Sequence, residues 1–193
     1  VDTAQGKIGR WVQLSSVGAY GTCRDGTITE DSKEQPFEIY EQTKTESDKI
    51  VKNSGVPYVI LRLSNVFGGR NQKNRTILSD WKESVLNSSE IVVWGEGRRK
   101  MQYIHIDDVL ACINISPRIK PGVYNLGSDD YISISDAVQI LSDKYNVKVK
   151  HLPNKKERVS LPMMKTNKIK NQINDLKFIQ FREGLLRYMS SID

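Results

Sequence analysis

Cysteine and histidine are scarce in this chain. Cys23, Cys112, His105 and His151 are all there is in 193 residues. They lie far apart and at no metal or redox spacing, which excludes a zinc site and a disulfide framework. Both cysteines read as plain buried or half-buried thiols. Long apolar runs are missing too, and no window approaches the eighteen or so uncharged residues of a spanning helix. Val1 to Trp11 holds Gly, Lys and Arg where a secretory signal needs its apolar core. The cytoplasm is therefore the default compartment, with no membrane partner. No internal repeat and no low-complexity linker occurs.

What remains is a globular composition. Hydrophobic residues make up 38% and charged residues 27%, with a mean hydropathy of -0.49, too apolar for a disordered chain. The length fits one domain, or one domain and a small appendage. The net charge of +6 is unevenly spread: Lys144 to Arg187 has twelve Lys/Arg against three Asp/Glu, which leaves the rest of the chain net negative. Such a stretch suits an anionic ligand, a nucleic acid or a phosphorylated small molecule, or is simply a solvated lysine-rich face. No nucleic-acid motif accompanies it.

Strand-like and helix-like segments alternate along the chain. Trp11 to Leu14 is a short apolar run that ends in Ser15-Ser16 and a Gly-punctuated loop. A helix is predicted from Glu38 to Asn53, and Tyr58 to Leu63 has the pattern of a strand buried on both faces. Gly68-Gly69-Arg70-Asn71 breaks the chain. A helix over Thr76 to Leu86 and a strand over Ile91 to Trp94 follow. Tyr103 to Ile106 leads to Asp107-Asp108, read as the cap and first turn of a helix reaching Ile115 rather than as catalytic groups. Val123 to Leu126 is a strand, Ser133 or Ser135 caps a helix reaching Tyr145, Val147 to Leu152 is a strand, and Glu183 to Met189 is a last helix. Strands separated by helices imply a parallel sheet with crossovers. Gly6 and Gly9 have no strand before them, so the chain reads as beginning inside a domain.

Two motifs carry chemistry. Tyr40 and Lys44, four apart on the predicted helix, project from one face. An ammonium beside a phenol stabilises the phenolate, which can then exchange a proton with an alcohol or ketone near neutral pH. Alone the pair is weak evidence, since such spacings are usually surface contacts. Its companion is Ser15-Ser16-Val17-Gly18-Ala19-Tyr20-Gly21, placed at the carboxyl end of a strand, where α/β sheets build their sites.

With Arg62-Leu63-Ser64-Asn65-Val66-Phe67-Gly68, Gly95-x-Gly97, Tyr103 to Val109 and Tyr124-Asn125-Leu126-Gly127-Ser128 following in order, the chain resembles the extended short-chain dehydrogenase/reductases, the nucleotide-sugar epimerase/dehydratase family. The resemblance runs from about Gly9 to Leu186. It implies an α/β fold: the C-terminal part of a doubly wound parallel (Rossmann-like) sheet with a small substrate-binding lobe. Residues 1–68 and 101–128 would form the partial core, and 69–100 with 129–193 the lobe. It also implies roles. Ser16 is the catalytic hydroxyl, Tyr40 the acid/base, and Lys44 the group that holds the nicotinamide ribose of NAD or NADP. Ser64 lies along the nicotinamide, and Asn65, Trp94 and Arg158 bind the nucleoside-diphosphate sugar. Trp94 reads equally as a strand-end packing residue.

The departures from the family are informative. Val17 and Gly18 stand where its dehydratases carry Asp-Glu, so epimerisation or plain keto reduction is favoured. Met101 replaces a phosphate-binding arginine, for which Arg98, Arg99 or Lys100 could substitute. Glu41 replaces a small residue and is expected on an outward helix face. The family's N-terminal Gly-x-x-Gly-x-x-Gly region has no counterpart here. The expected activity is a 4-epimerase working through a 4-keto sugar. The alternatives are an NADPH-dependent ketoreductase with the same triad, and an inactive nucleotide-sugar-binding fragment. A homodimer through a helical face is implied as well.

Overall fold

The structure, a computed structural model, describes residues 6, 8–21, 26–69, 75–173 and 175–190. Cys23, Arg70 and Asn71 lie outside these residues. Three strands, β1 (Trp11–Ser16), β3 (Tyr58–Leu63) and β7 (Gly122–Leu126), form a parallel sheet in the order β1-β3-β7. The expected both-faces-buried strand is β3, with Val59, Ile60 and Leu61 fully buried. Helix α1 (Ile39–Lys52) packs on β1 and β3. Helix α3 (Ile106–Ile115) joins the same apolar cluster through Val109 and Cys112, beside Leu61, Tyr124 and Leu126. Burial pushes the Cys112 thiol up to about 12, leaving an inert apolar filler as expected.

A second group of strands is mixed. β4 (Asn65–Phe67) pairs in parallel with β6 (Lys100–His105), but β8 (Tyr131–Ser133) runs antiparallel to β6. β5 (Ile91–Trp94) pairs with β9 (Val149–Leu152). These strands, α2 (Ile77–Leu86), α4 (Ile134–Tyr145) and α6 (Phe181–Ser190) enclose a second core around Phe67, Trp81, Tyr103, Leu141 and Phe181. Two further two-residue strands, β2 (Thr27–Ile28) and β10 (Met163–Met164), pair with each other, and α5 (Asn167–Lys170) is a single turn. β2, β4, β8, β10 and α5 are too short to show a period, so no sequence signal announced them. Among the described residues no helix is long and apolar enough to cross a membrane.

Several expected ends move. β6 begins at Lys100 and runs straight into α3, whose cap is His105: its Nδ1 accepts the N–H of Asp107 at 3.3 Å. Asp107, expected as the cap, stands in the first turn instead, and Asp108 stands there as expected. It accepts the Ile179 N–H at 3.0 Å and so ties down the approach to α6. Ser133, not Ser135, caps α4, accepting the Asp136 N–H at 3.0 Å.

A buried charge holds the first sheet to its helix. Arg62 on β3 is 1% exposed. Its Nε and Nη2 donate to Asp48 Oδ2 of α1 at 3.1 and 3.0 Å, and Nη2 also pairs with Glu34. Ser15 of β1 donates to the same Asp48 oxygen at 3.0 Å. The guanidinium lies 4.6 Å above the Tyr20 ring, whose hydroxyl donates to Asn125 of β7 at 2.7 Å. Burial works against the charge, yet Tyr20, Glu34 and Asp48 keep the guanidinium firmly protonated. Burial also raises Asp48, and Arg62 only partly offsets it.

Arg62→Met should therefore cost about 3–5 kcal/mol, because Asp48 is left buried without its cation. The loss should be larger near pH 7 than near pH 4. Asp48's folded pKa then climbs further above its unfolded value, and the penalty fades once the carboxyl takes a proton. Urea unfolding of both proteins at the two pH values checks this.

Candidate active site

Ser16 is the last residue of β1, and its Oγ accepts the Gly18 N–H at 3.1 Å. That bond starts a 3-10 turn, Val17–Tyr20, which closes at Gly21. Gly21 has φ +85, and a Cβ there would meet the Gln35 carbonyl oxygen at 2.4 Å, so the turn needs glycine. Gly18 is crowded for another reason: a Cβ would approach Glu41 Cγ to 3.0 Å and Ser16 Oγ to 3.4 Å.

Tyr40 sits in the first turn of α1, 58% exposed. Lys44 is one turn on and half-buried. Its Nζ donates to the Leu14 carbonyl at 3.2 Å and lies 5.9 Å from the centre of the Tyr40 ring. The lysine thus links the phenol to the carboxyl end of β1, two residues before Ser16.

The expectation for Glu41 is overturned. Its side chain points inward, 1% exposed, and Oε2 accepts the N–H groups of Phe37 at 2.7 Å and Glu38 at 3.2 Å. The buried face of α1 is Glu41, Thr45, Asp48 and Val51, spaced as an inner face should be but mostly polar. Ile39 and Ile50 are on the outside. Polarity of a single position misjudges the facing of such a helix.

Ser64 follows β3. It is buried, its N–H donates to Leu126 at 2.8 Å, and its Oγ has no hydrogen-bond partner among the described residues. The next residue, Asn65, donates from Nδ2 to the Gln102 carbonyl at 2.9 Å.

Asn65 also lines a cavity of about 830 Å³, of a size that suits a small-molecule ligand. Trp94 and Arg158 line it as well, together with Tyr103, Arg99 and Glu157. Trp94 is half exposed, with Lys155 Nζ 5.9 Å from its ring centre, so it is not a packing residue sealed at a strand end. Met101 is buried against the second core. Of the three cations that could stand in for it, Arg98 is paired with Glu96 on the surface and Lys100 lies 6.0 Å from the Tyr131 ring. Arg99 alone of the three lines the cavity.

The structure thus brings Tyr40 and Lys44 together at the end of β1, and Asn65, Trp94 and Arg158 together around one cavity. Ser16, Tyr40, Lys44 and Ser64 do not line that cavity. The two groups meet in sequence at Ser64-Asn65.

Sequence reasoning missed Glu157. Its carboxylate accepts the N–H of Glu96 at 2.9 Å and of Arg99 at 2.7 Å, gripping the turn between β5 and β6. The little burial it has pulls its pKa up, but the N–H groups of Arg99, Arg98, Glu96 and Gly97 outweigh this and hold it below the usual range. Gly95-x-Gly97 was the available signal: consecutive N–H groups on a glycine turn form an anion-binding concavity.

A model of the NAD dependent epimerase/dehydratase family matches residues 2–127. The chain belongs to this family. It is 30% identical to a low-salt glycan biosynthesis protein of Haloferax volcanii over 129 residues, 63% of this chain and 41% of that protein. It is 24% identical to a dTDP-glucose 4,6-dehydratase of Streptomyces niveus over 192 residues, 93% of this chain and 56% of that protein. The fold matches that of a UDP-glucose 4-epimerase of Thermotoga maritima with UDP-glucose, at a TM-score of 0.83 and 20% identity, over 97% of this chain and 64% of that one. A UDP-glucuronic acid 4-epimerase of Bacillus cereus in complex with NAD matches at 0.77 and 21%, over 95% and 62%. The chain therefore spans 38–56% of the length of the first curated relatives it matches.

Glu41→Ala should lower stability by about 1–2 kcal/mol by stripping the first turn of α1 of its acceptor, as chemical unfolding will measure. Glu157→Gln should speed amide exchange at Glu96 and Arg99 at neutral pH. In the parent chain the grip should persist above the ordinary carboxylate range and be lost only as pH falls through Glu157's depressed pKa.

Proposed function

We propose that this chain carries the catalytic hydroxyls and the substrate lobe of a nucleotide-sugar 4-epimerase that works with NAD or NADP. The observation that carries the reading is the double attachment of Lys44, to the Tyr40 ring and to the carboxyl end of β1 beside Ser16. In this reading residues 1–68 and 101–128 are the partial Rossmann-like core, and 69–100 with 129–193 form the substrate-binding lobe.

The residues present fit a nicotinamide cofactor. Ser64 offers a buried hydroxyl with no partner among the described residues, Tyr40 is exposed, and the half-buried Lys44 reaches the carboxyl end of β1. Lys44 would hold the nicotinamide ribose, and Ser64 the nicotinamide. When bound, the cofactor supplies the reversible hydride acceptor. The protein's own part is proton traffic. Tyr40 relays the proton of the sugar C4 hydroxyl, taking it up and returning it after the keto sugar has turned over, with the Lys44 ammonium 5.9 Å from its ring centre. Ser16 holds the reacting oxygen: its acceptor side is taken by the Gly18 N–H, which leaves its own proton to donate.

Elimination of water needs a further acid/base pair. Val17 and Gly18 supply none, and Glu41's methylenes fill the space beside Gly18. This favours epimerisation, although some sequence relatives are named dehydratases. Asn65, Trp94 and Arg158 bind the nucleoside-diphosphate sugar. Of the basic C-terminal stretch, Arg158 lines the cavity, whereas Lys168 lies over Tyr124, Lys170 pairs with Asp129 and Arg187 with Glu183. The same reading makes the protein a cytoplasmic homodimer, which sedimentation of the purified protein tests.

Tyr40→Phe should reduce epimerisation of UDP-glucose about 100- to 10,000-fold with UDP affinity unchanged, followed by NMR of the sugar with NAD present. Stoichiometric consumption of NADPH on a keto sugar would replace epimerase by ketoreductase. UDP-glucose binding with no turnover in the unaltered chain would leave a binding lobe.

A further inference from the structure

Asn125 belongs to the Tyr124 to Ser128 motif, to which the proposed chemistry assigns no task. It is fully buried on β7, at the end of the strand order of its sheet, and its polar groups reach three separate pieces of chain. Oδ1 accepts the Tyr20 hydroxyl at 2.7 Å, Nδ2 donates to the Lys165 carbonyl at 3.3 Å, and the N–H donates to Glu30 Oε1 at 2.9 Å. A buried amide engaged at both ends is held in one orientation.

Tyr20 closes the Val17–Tyr20 turn that the Ser16 hydroxyl opens. Its ring lies under the Arg62 guanidinium and packs with Val17, Ile28 and Met164. Apolar packing has no direction, so the hydrogen bond to Asn125 is what fixes the far end of the ring. Burial raises the Tyr20 pKa against the pull of Arg62, and the hydroxyl keeps the proton it donates.

Lys165 ends a strap, residues 157–165, that leads from the cavity wall at Glu157 and Arg158 to the first sheet. Gln102 grips the strap at Met164, accepting its N–H at 3.0 Å and donating to its carbonyl at 3.0 Å. The Lys165 N–H donates to Ile28 of β2 at 2.8 Å. Turn, strap and sheet thus meet at Asn125.

We propose that Asn125 is a positioning residue for Ser16, holding through Tyr20 the turn on which the serine hydroxyl depends. The proposal rests on the epimerase reading above and adds the residue that aims its hydroxyl.

Two variants test it. Tyr20→Phe keeps the ring over which Arg62 lies and removes the hydroxyl alone, while Asn125→Ala removes both side-chain contacts. In each, amide exchange at Gly18 and Gly21, the hydrogen-bonded N–H groups of the turn, should speed about 5- to 10-fold, the range for losing one hydrogen bond. Exchange at Ile91, bonded to Lys148 in the second core, should not change. With UDP-glucose and NAD, kcat should fall about 10- to 100-fold in Tyr20→Phe while KM holds, the signature of a misaimed group. In a Ser16→Ala background the same change should cost less than twofold, because no hydroxyl is left to misplace. Unchanged exchange at Gly18 and Gly21, equal acceleration at Ile91 in Tyr20→Phe, or an undiminished kcat loss without the serine hydroxyl would overturn the role of Asn125 and leave the epimerase reading intact. No turnover by the parent chain would overturn both.

Discussion

A guanidinium removed from water must find partners or lose the fold, and Arg62 finds two carboxylates and an aromatic ring on three separate pieces of chain. Asp48 belongs to α1, Glu34 to the loop before it, and Tyr20 to the turn after β1. Charge satisfaction therefore fixes the angle of α1 over β1 and β3 more sharply than apolar contact could, since hydrophobic burial has no direction. Ser16, Tyr40 and Lys44 ride on these same elements. Their relative placement is inherited from a buried ion pair that takes no part in the proposed chemistry itself.

The cavity follows the opposite electrostatic rule. There Arg99 and Arg158 have no ion pair among the described residues, and the Glu157 carboxylate binds backbone. Exchange of Glu157 for an apolar residue would free four N–H groups and slacken the turn after Trp94. Exchange for one that reached Arg99 would cancel the field at the cavity. The positive charge at the cavity depends on that carboxylate being occupied elsewhere.

Much of the fold was legible. Period and punctuation located β3, α2, β5 and α4, because each is long enough to repeat and each has a breaker or cap at its end. The family resemblance singled out Asn65, Trp94 and Arg158, and all three line one cavity. The failures have a common cause. Glu41 was assigned to the outside because a charged residue usually is outside, yet α1 buries a row of polar groups with partners to meet them: the Phe37 and Glu38 N–H groups for Glu41, and Arg62 and Ser15 for Asp48. Asp107 looked like a cap because it sits at a helix start, yet the cap is His105, whose Nδ1 accepts the Asp107 N–H. Two- and three-residue strands carry no period at all.

Local chemistry is written in the sequence: the i, i+4 relation of Tyr40 and Lys44, the serine at a strand end, the cysteines kept from metal spacing, and the basic surplus near the C-terminus. These need only neighbours within a helical turn or a count of charges. Which of Arg98, Arg99 and Lys100 reaches the cavity, which way Glu41 faces, and what Glu157 holds were decided by tertiary structure alone. Glu157 holds backbone 61 and 58 residues away, while Glu41, whose own partners Phe37 and Glu38 are near in sequence, faces inward because α1 packs on β1 and β3. A side chain's job is set by the donors and acceptors that packing places beside it.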